Sequence, residues 1–174
     1  GHEVVAIDNF DNSYPEVLDN IEKITGKKVV FQNVDIRDKK ALTDFMVSQK
    51  GIDAVIHFAA FKAVGESVQN PLKYYENNVG GTVNLLYAME AAGISQIAFS
   101  SSCTVYGEAN PPVDENTAKP EAQSPYGNTK QICEEVLFDY TKASNLKVVS
   151  LRYFNPVGAH DSALIGELPI GVPN

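Results

Sequence analysis

Short apolar runs alternate along the chain with longer stretches of helical period, and polar residues close the runs. Val4-Val5-Ala6-Ile7 stops at Asp8, and Lys28-Val29-Val30-Phe31 reads as a strand ending near Asp35. Ala54-Val55-Ile56-His57-Phe58, Gln96-Ile97-Ala98-Phe99-Ser100 and Val148-Val149-Ser150-Leu151-Arg152-Tyr153 complete the strand pattern. Pro15 and Gly26 bracket a helix between the first two runs. Asp38 caps a second helix to about Gln49, and Asn70-Pro71 opens a long third to about Ala92, stopped by Gly93. After a Pro-rich loop from Gly107 to Gln123, Ser124-Pro125 caps a fourth, which runs to about Ala143. The alternation predicts an α/β fold, a doubly wound parallel sheet with helices on both faces. Parallel strands need helical crossovers, and nearly wholly apolar strands suit a sheet covered on both sides. Polar residues gather where the strands end: Asp8, Asp35, His57 to Lys62, Ser100 to Ser102 and Tyr153 to Asn155. In such sheets ligands bind beyond the carboxyl ends of the strands.

A chain of 174 residues buries a sizeable core and reads as one domain. A net charge of -8 without any basic cluster argues against a nucleic-acid surface. No apolar run approaches the length of a membrane span and no signal-peptide pattern opens the chain, so a cytoplasmic protein is expected. Cys103 and Cys133 lack metal-ligand spacing and are expected to be buried thiols, with no metal site. Gly1 reads as the C-cap of a preceding helix, and no initiating methionine is present. The sequence is therefore expected to be an internal fragment lacking a first βα unit, unstable and inactive by itself.

The candidate chemistry centres on Ser124-Pro125-Tyr126-Gly127-Asn128-Thr129-Lys130. Tyr126 and Lys130, four apart, project from one helix face. An ammonium near a phenol stabilises the phenolate, and lowering its pKa from about 10 to about 7 takes about 4 kcal/mol. The product is a general base for an alcohol, with a serine from the Ser100-Ser101-Ser102 strand end relaying the proton. Tyr–Lys pairs at this spacing also arise as solvated helix decoration, so context decides. Asp8, at the end of its strand, sits where a dinucleotide fold hydrogen-bonds the adenosine ribose, and its charge favours NAD over NADP. Asp35-Ile36 could similarly face the adenine.

Four segments carry a family resemblance: Val-Ile-His-Phe-Ala-Ala-Phe-Lys-Ala-Val-Gly-Glu-Ser-Val (55–68), Phe-Ser-Ser-Ser-Cys-Thr-Val-Tyr-Gly (99–107), Ser-Pro-Tyr-Gly-Asn-Thr-Lys (124–130) and Leu-Arg-Tyr-Phe-Asn-Pro-Val-Gly-Ala-His (151–160). Together they resemble the UDP-galactose 4-epimerases of the extended short-chain dehydrogenase/reductase family. The resemblance implies a Rossmann-like domain over residues 1–158, truncated at its N-terminus, with the start of a substrate region over 159–174. It implies Tyr126 as base, Lys130 as the residue lowering its pKa and holding the nicotinamide ribose, and Ser102 on the sugar 4-hydroxyl. Around NAD it implies Asp8, Asn9, Asn12, Ser13, Asp35, Ile36, Phe58, Ala59, Ala60, Lys62, Asn77, Ser100, Tyr153 and Phe154. On the substrate it implies Lys62, Ser102, Tyr126, Tyr153, Phe154, Asn155 and Asn174.

The implied reaction interconverts UDP-galactose and UDP-glucose. The C4 hydroxyl is oxidised to a bound ketone with transient hydride transfer to NAD, and the hydride returns to the sugar's other face. A homodimer is implied, through the helices carrying Tyr74 to Met89 and Lys130 to Tyr140. Related sugar-nucleotide 4,6-dehydratases need an extra acid and base just after the serine, and UDP-glucuronate decarboxylases usually carry a glutamate there. Cys103 and Thr104 occupy those places. A non-catalytic NAD sensor or scaffold has no need of Ser102, Tyr126 and Lys130 together.

Overall fold

The structure is a computed structural model and describes residues 2–166. Gly1 and Asn174, both assigned roles from sequence, lie outside the described residues. The chain divides into two compact units: residues up to Asp35 with those from Asn155 on, and Ile36–Phe154.

In the first unit, β1 (Val5–Asp8) and β2 (Val30–Asn33) pair in parallel, from Val5 opposite Val30 to Asp8 opposite Asn33. Helix α1 (Glu16–Thr25) connects them. Pro15 stands at its N-cap, and Gly26, at φ 68°, ends it by donating its N–H to the Glu22 carbonyl. That left-handed conformation is one glycine adopts without the steric cost of a Cβ.

The second unit contains α2 (Lys39–Ser48), β3 (Val55–His57), α3 (Val64–Gln69), α4 (Pro71–Tyr74), α5 (Gly81–Ala92), β4 (Gln96–Ser102), α6 (Pro125–Ala143) and β5 (Lys147–Tyr153). Asp38 caps α2 as its position predicts, accepting the Ala41 N–H at 2.9 Å. Buried Leu42 and Met46 lie on α2, which packs on α5. β3, β4 and β5 form a parallel ladder, in which Ser102 at the end of β4 lies opposite Tyr153.

The parallel α/β reading is borne out, with three differences of detail. The expected helix from Asn70 to Ala92 is interrupted by a π-helical turn, Tyr75–Gly80, between α4 and α5. The consecutive residues Asn77 and Asn78 of this turn are both buried. α3 and a 3-10 turn at Cys103–Tyr106 were not foreseen, being too short to show a period. Finally, the strands form two ladders, and no described strand bridges them.

Within the second unit, α6 covers one face of the β3–β5 ladder. α6 packs on β4 and β5, where Ile97, Phe99 and Ser101 are buried. Across the sheet, the row Ile56, Ala98 and Val149 faces the other way, with Ile56 68% and Val149 58% exposed. Side chains alternate between faces, so a doubly apolar strand presents a second greasy surface wherever one cover is absent. No helix among the described residues is long and apolar enough to cross a membrane.

Candidate active site

The first turn of α6 is fixed by its cap. Ser124 Oγ accepts the Gly127 N–H at 3.1 Å, the Ser124 carbonyl accepts the Asn128 N–H, and Pro125 occupies the first helical position. Gly127 lets this turn approach the 3-10 turn. A Cβ there would stand 3.3 Å from the Thr104 carbonyl oxygen. Tyr126 and, one turn on, Lys130 are both buried.

Lys130 Nζ donates to the Ser100 carbonyl at 2.7 Å, lies 4.9 Å from the Phe99 ring centre and 6.0 Å from that of Tyr126. Burial pulls its pKa down to about 8, against an opposing influence from Cys133. The unfolded chain holds this proton more tightly. Folding stability therefore gains as pH rises from about 8 to 10.5, and the buried charge opposes folding below that window.

Ser102 Oγ accepts the Thr104 N–H at 3.2 Å, and its hydroxyl is close enough to Tyr126 to act on the phenol's pKa. The Tyr126 phenol does not show the depressed pKa that the spacing suggested. Burial raises it, Ser102 and Lys62 act downward, and Cys103 acts upward. The Lys130 ammonium, 6.0 Å from the Tyr126 ring centre, donates to the Ser100 carbonyl.

Beneath this pair lies a polar layer that sequence reasoning missed. His57 Nε2 meets Thr82 Oγ1 at 3.0 Å, and burial, then the nearby Lys130, drive the imidazole down to about 3, so it is neutral. Buried Cys133 approaches the Asn78 carbonyl at 3.3 Å, and burial raises its thiol. Cys103 is only half-buried, against the expectation of two buried thiols.

Asn78 joins three elements. Its Oδ1 accepts the Phe61 N–H, and its Nδ2 donates to the Phe61 carbonyl, both at 2.9 Å. The same Nδ2 lies 3.1 Å from Thr129 Oγ1 on α6. Asn77, named from sequence, donates to Asn78 Oδ1. The adjacent pair Asn77-Asn78 inside a helical stretch was the available signal.

The second unit thus brings together Tyr126, Lys130, Ser100 and Ser102, with Asn77 joined to α6 through Asn78. Lys62 is exposed, as are Phe58 and Ala59, while Ala60 is half-buried. Phe58 and Tyr153 rings lie 6.4 Å apart, and Tyr106 and Phe154 rings 6.0 Å apart. Ile36 is buried against Gly81, whose Cβ would stand 2.4 Å from Ile36 Cδ1.

In the first unit, Asp8 Oδ1 accepts the Phe10 N–H at 2.6 Å and the Ser13 hydroxyl at 2.8 Å. Asn9 Nδ2 donates to Asp35 Oδ2 at 3.0 Å. This tight loop holds Phe10 at φ 58°, an uncommon conformation for a non-glycine residue. Asn12 is exposed, and Asn155 has φ 39°.

A family model described as the NAD dependent epimerase/dehydratase family matches residues 1–168. A UDP-glucose 4-epimerase of Schizosaccharomyces pombe is 48% identical over 180 residues, covering 100% of this chain and 50% of that protein. One from Bacillus subtilis is 49% identical over 177 residues, covering 100% and 51%. The crystal structure of UDP-glucose 4-epimerase from Stenotrophomonas maltophila with bound NAD and formylated UDP-arabinopyranose superposes with a TM-score of 0.93 at 48% identity. It covers 99% of this chain and 52% of that one. The Bifidobacterium longum enzyme in complex with NAD+ and UDP gives 0.94 at 44% identity, with the same coverage. The chain spans about half the length of the curated relatives it matches.

Asn78→Ala strands the Phe61 N–H and carbonyl without partners. In the full-length protein it is expected to lower unfolding free energy by about 3 kcal/mol, measured in urea. A change below about 1 kcal/mol would show that the clamp contributes little.

Proposed function

The chain belongs to the NAD dependent epimerase/dehydratase family, and from that premise we propose that the full-length protein interconverts UDP-galactose and UDP-glucose by inversion at C4. The observation that carries this reading is the buried grouping of Ser102, Tyr126 and Lys130 at the carboxyl end of β4. It is supported by relatives named UDP-glucose 4-epimerase at 48–49% identity. Cys103 and Thr104 after the serine offer no carboxylic acid for the water elimination of a dehydratase.

The residues fit NAD. An ammonium has three hydrogens to donate, and among the described residues Lys130 gives one, to Ser100. The others suit the hydroxyls of a ribose. In the first unit, Asp8 and Asp35 carry carboxylates just beyond parallel strands, where ribose hydroxyls are accepted. Asn9, Asn12 and Ser13 surround Asp8 in sequence, while Ile36, Phe58, Ala59, Ala60, Lys62, Asn77, Ser100, Tyr153 and Phe154 are assigned to the cofactor from the second unit. Residues 1–158 are assigned to the nucleotide domain and 159–174 to the start of the substrate region.

The chemistry NAD supplies when bound is a reversible hydride acceptor at C4. Tyr126 takes the proton of the C4 hydroxyl, and Ser102 hydrogen-bonds the same oxygen and relays the proton. Lys130 adds positive charge in a low-dielectric site, favouring the phenolate against the burial that disfavours it. The sugar ketone then turns, and Tyr126 returns the proton as C4 is reduced from the opposite face. Lys62, Tyr153, Phe154, Asn155 and Asn174 are assigned to holding the substrate. Binding energy from the distant UDP retains the ketone while it turns.

The protein is further proposed to be a homodimer. A groove of about 390 Å³ between α5 and α6 is lined by Val83, Leu86, Val136 and Ala143 with Tyr87, Tyr140 and the acidic Glu90 and Asp139, and Tyr87 is exposed. Sedimentation of the full-length protein should show a dimer that Tyr87→Glu dissociates. A monomeric wild type would overturn this assignment.

Full-length protein mixed with UDP-galactose, without added NAD, is expected to yield UDP-glucose by NMR. Tyr126→Phe should slow turnover by about 10²- to 10⁴-fold. A 4-keto-6-deoxy sugar accumulating instead from dTDP-glucose would mean a dehydratase. Bound NAD with turnover of neither would mean a sensor.

A further inference from the structure

α6 carries Tyr126, Lys130 and Glu134 at intervals of four, so one helix face delivers all three toward the end of β4. Glu134 has no part in the reaction described above, yet it is the most heavily bonded side chain of the three. Its Oε1 accepts from Ser101 Oγ at 2.6 Å and Arg152 Nε at 2.9 Å. Its Oε2 accepts from Arg152 Nη2 at 2.8 Å and Lys119 Nζ at 3.1 Å. Arg152 extends the network through Nη1 to the Tyr106 hydroxyl at 2.9 Å and stands 4.9 Å from the Tyr106 ring centre. Burial would raise the Glu134 carboxyl, but hydrogen bonds from Arg152, Ser101 and Lys119 hold it below the usual range, so it is ionised.

The partners are neighbours of residues with assigned roles. Ser101 precedes Ser102 on β4, Arg152 precedes Tyr153 on β5, and Lys119 lies in the Pro-rich loop that leads to Ser124. Ser101 and Arg152 are also register partners across the ladder. One carboxylate therefore grips two adjacent strand ends and ties both to the helix that carries the base.

We propose that Glu134 is a positioning residue: through Ser101 and Arg152 it sets the distance at which Ser102 meets Tyr126 and the register of Tyr153 beside it. The proposal rests on the roles given to Tyr126 and Ser102 above.

Glu134→Gln would leave Arg152 and Lys119 without their counter-charge and risks unfolding. Ser101→Ala cuts only the arm to β4 and leaves the Arg152 and Lys119 pairs in place. The decisive readout is the titration of Tyr126 in full-length protein, followed by NMR of ¹³Cζ-labelled tyrosine and assigned with Tyr126→Phe. Ser102 pulls the phenol's pKa down, so letting it move away from Tyr126 shifts the titration to higher pH. The other groups facing Tyr126, namely Lys62, Tyr74, Cys103 and Lys130, are unaltered in the variant.

The expected result is an upward shift in Ser101→Ala, reversed in Ser101→Thr, which restores a hydroxyl. In parallel, kcat should fall about tenfold, or about 1.4 kcal/mol in barrier, with KM for UDP-galactose within about twofold. An unmoved Tyr126 titration overturns the proposal, even if the variant is less stable or less active. An upward shift in a protein that does not turn over UDP-galactose would sink the functional reading and leave the positioning intact.

Discussion

A lysine ammonium held out of water beside a buried phenol is the constraint on which this structure turns. Desolvation disfavours the charge on Lys130 and the phenolate on Tyr126 alike, so each group resists the form that proton transfer needs. The fold supplies one carbonyl, that of Ser100, to steady the ammonium, and one hydroxyl, that of Ser102, to steady the phenol. Both come from the end of β4, so the chemistry depends on how that strand end is placed against α6. The Ser124 cap, the absent side chain of Gly127 and the Glu134 cluster each act on this placement from a different side.

The same logic accounts for the polar layer below. Asn77 and Asn78 are both buried in the π-helical turn. Asn78 then satisfies the backbone of Phe61, in the loop after β3, and bonds Thr129, which lies between Tyr126 and Lys130 on α6. His57 stays neutral there, so it adds no second positive charge beside the lysine. Among the described residues, the Thr104 hydroxyl is the buried side-chain group left without a hydrogen-bond partner.

Much of this was legible in the sequence. The strand ends at Asp8 and Ser102, the caps at Asp38 and Ser124 and the stop at Gly93 follow from local chemistry that tertiary packing does not override. Tyr126, Lys130 and Ser102 were visible because a helix repeat and a strand end are short-range patterns. The π-helical turn was not, since a departure from the helical period over six residues leaves no local pattern to read. Glu134 was equally hidden. Its partners Ser101, Lys119 and Arg152 lie 33, 15 and 18 residues away, and a lone glutamate on a helix reads as surface charge. The partner of Lys130 was hidden for a related reason, because spacing shows that two groups share a face but not where an ammonium points.

The most direct measurement is the titration of Lys130 itself, by NMR of ¹³Cε-labelled lysine in nucleotide-free full-length protein, with Lys130→Met for assignment. The structure predicts one lysine resonance titrating near pH 8 and absent from the variant. If the Lys130 resonance titrated instead in the ordinary range of a solvated ammonium, the buried proton-handling site described here would be wrong.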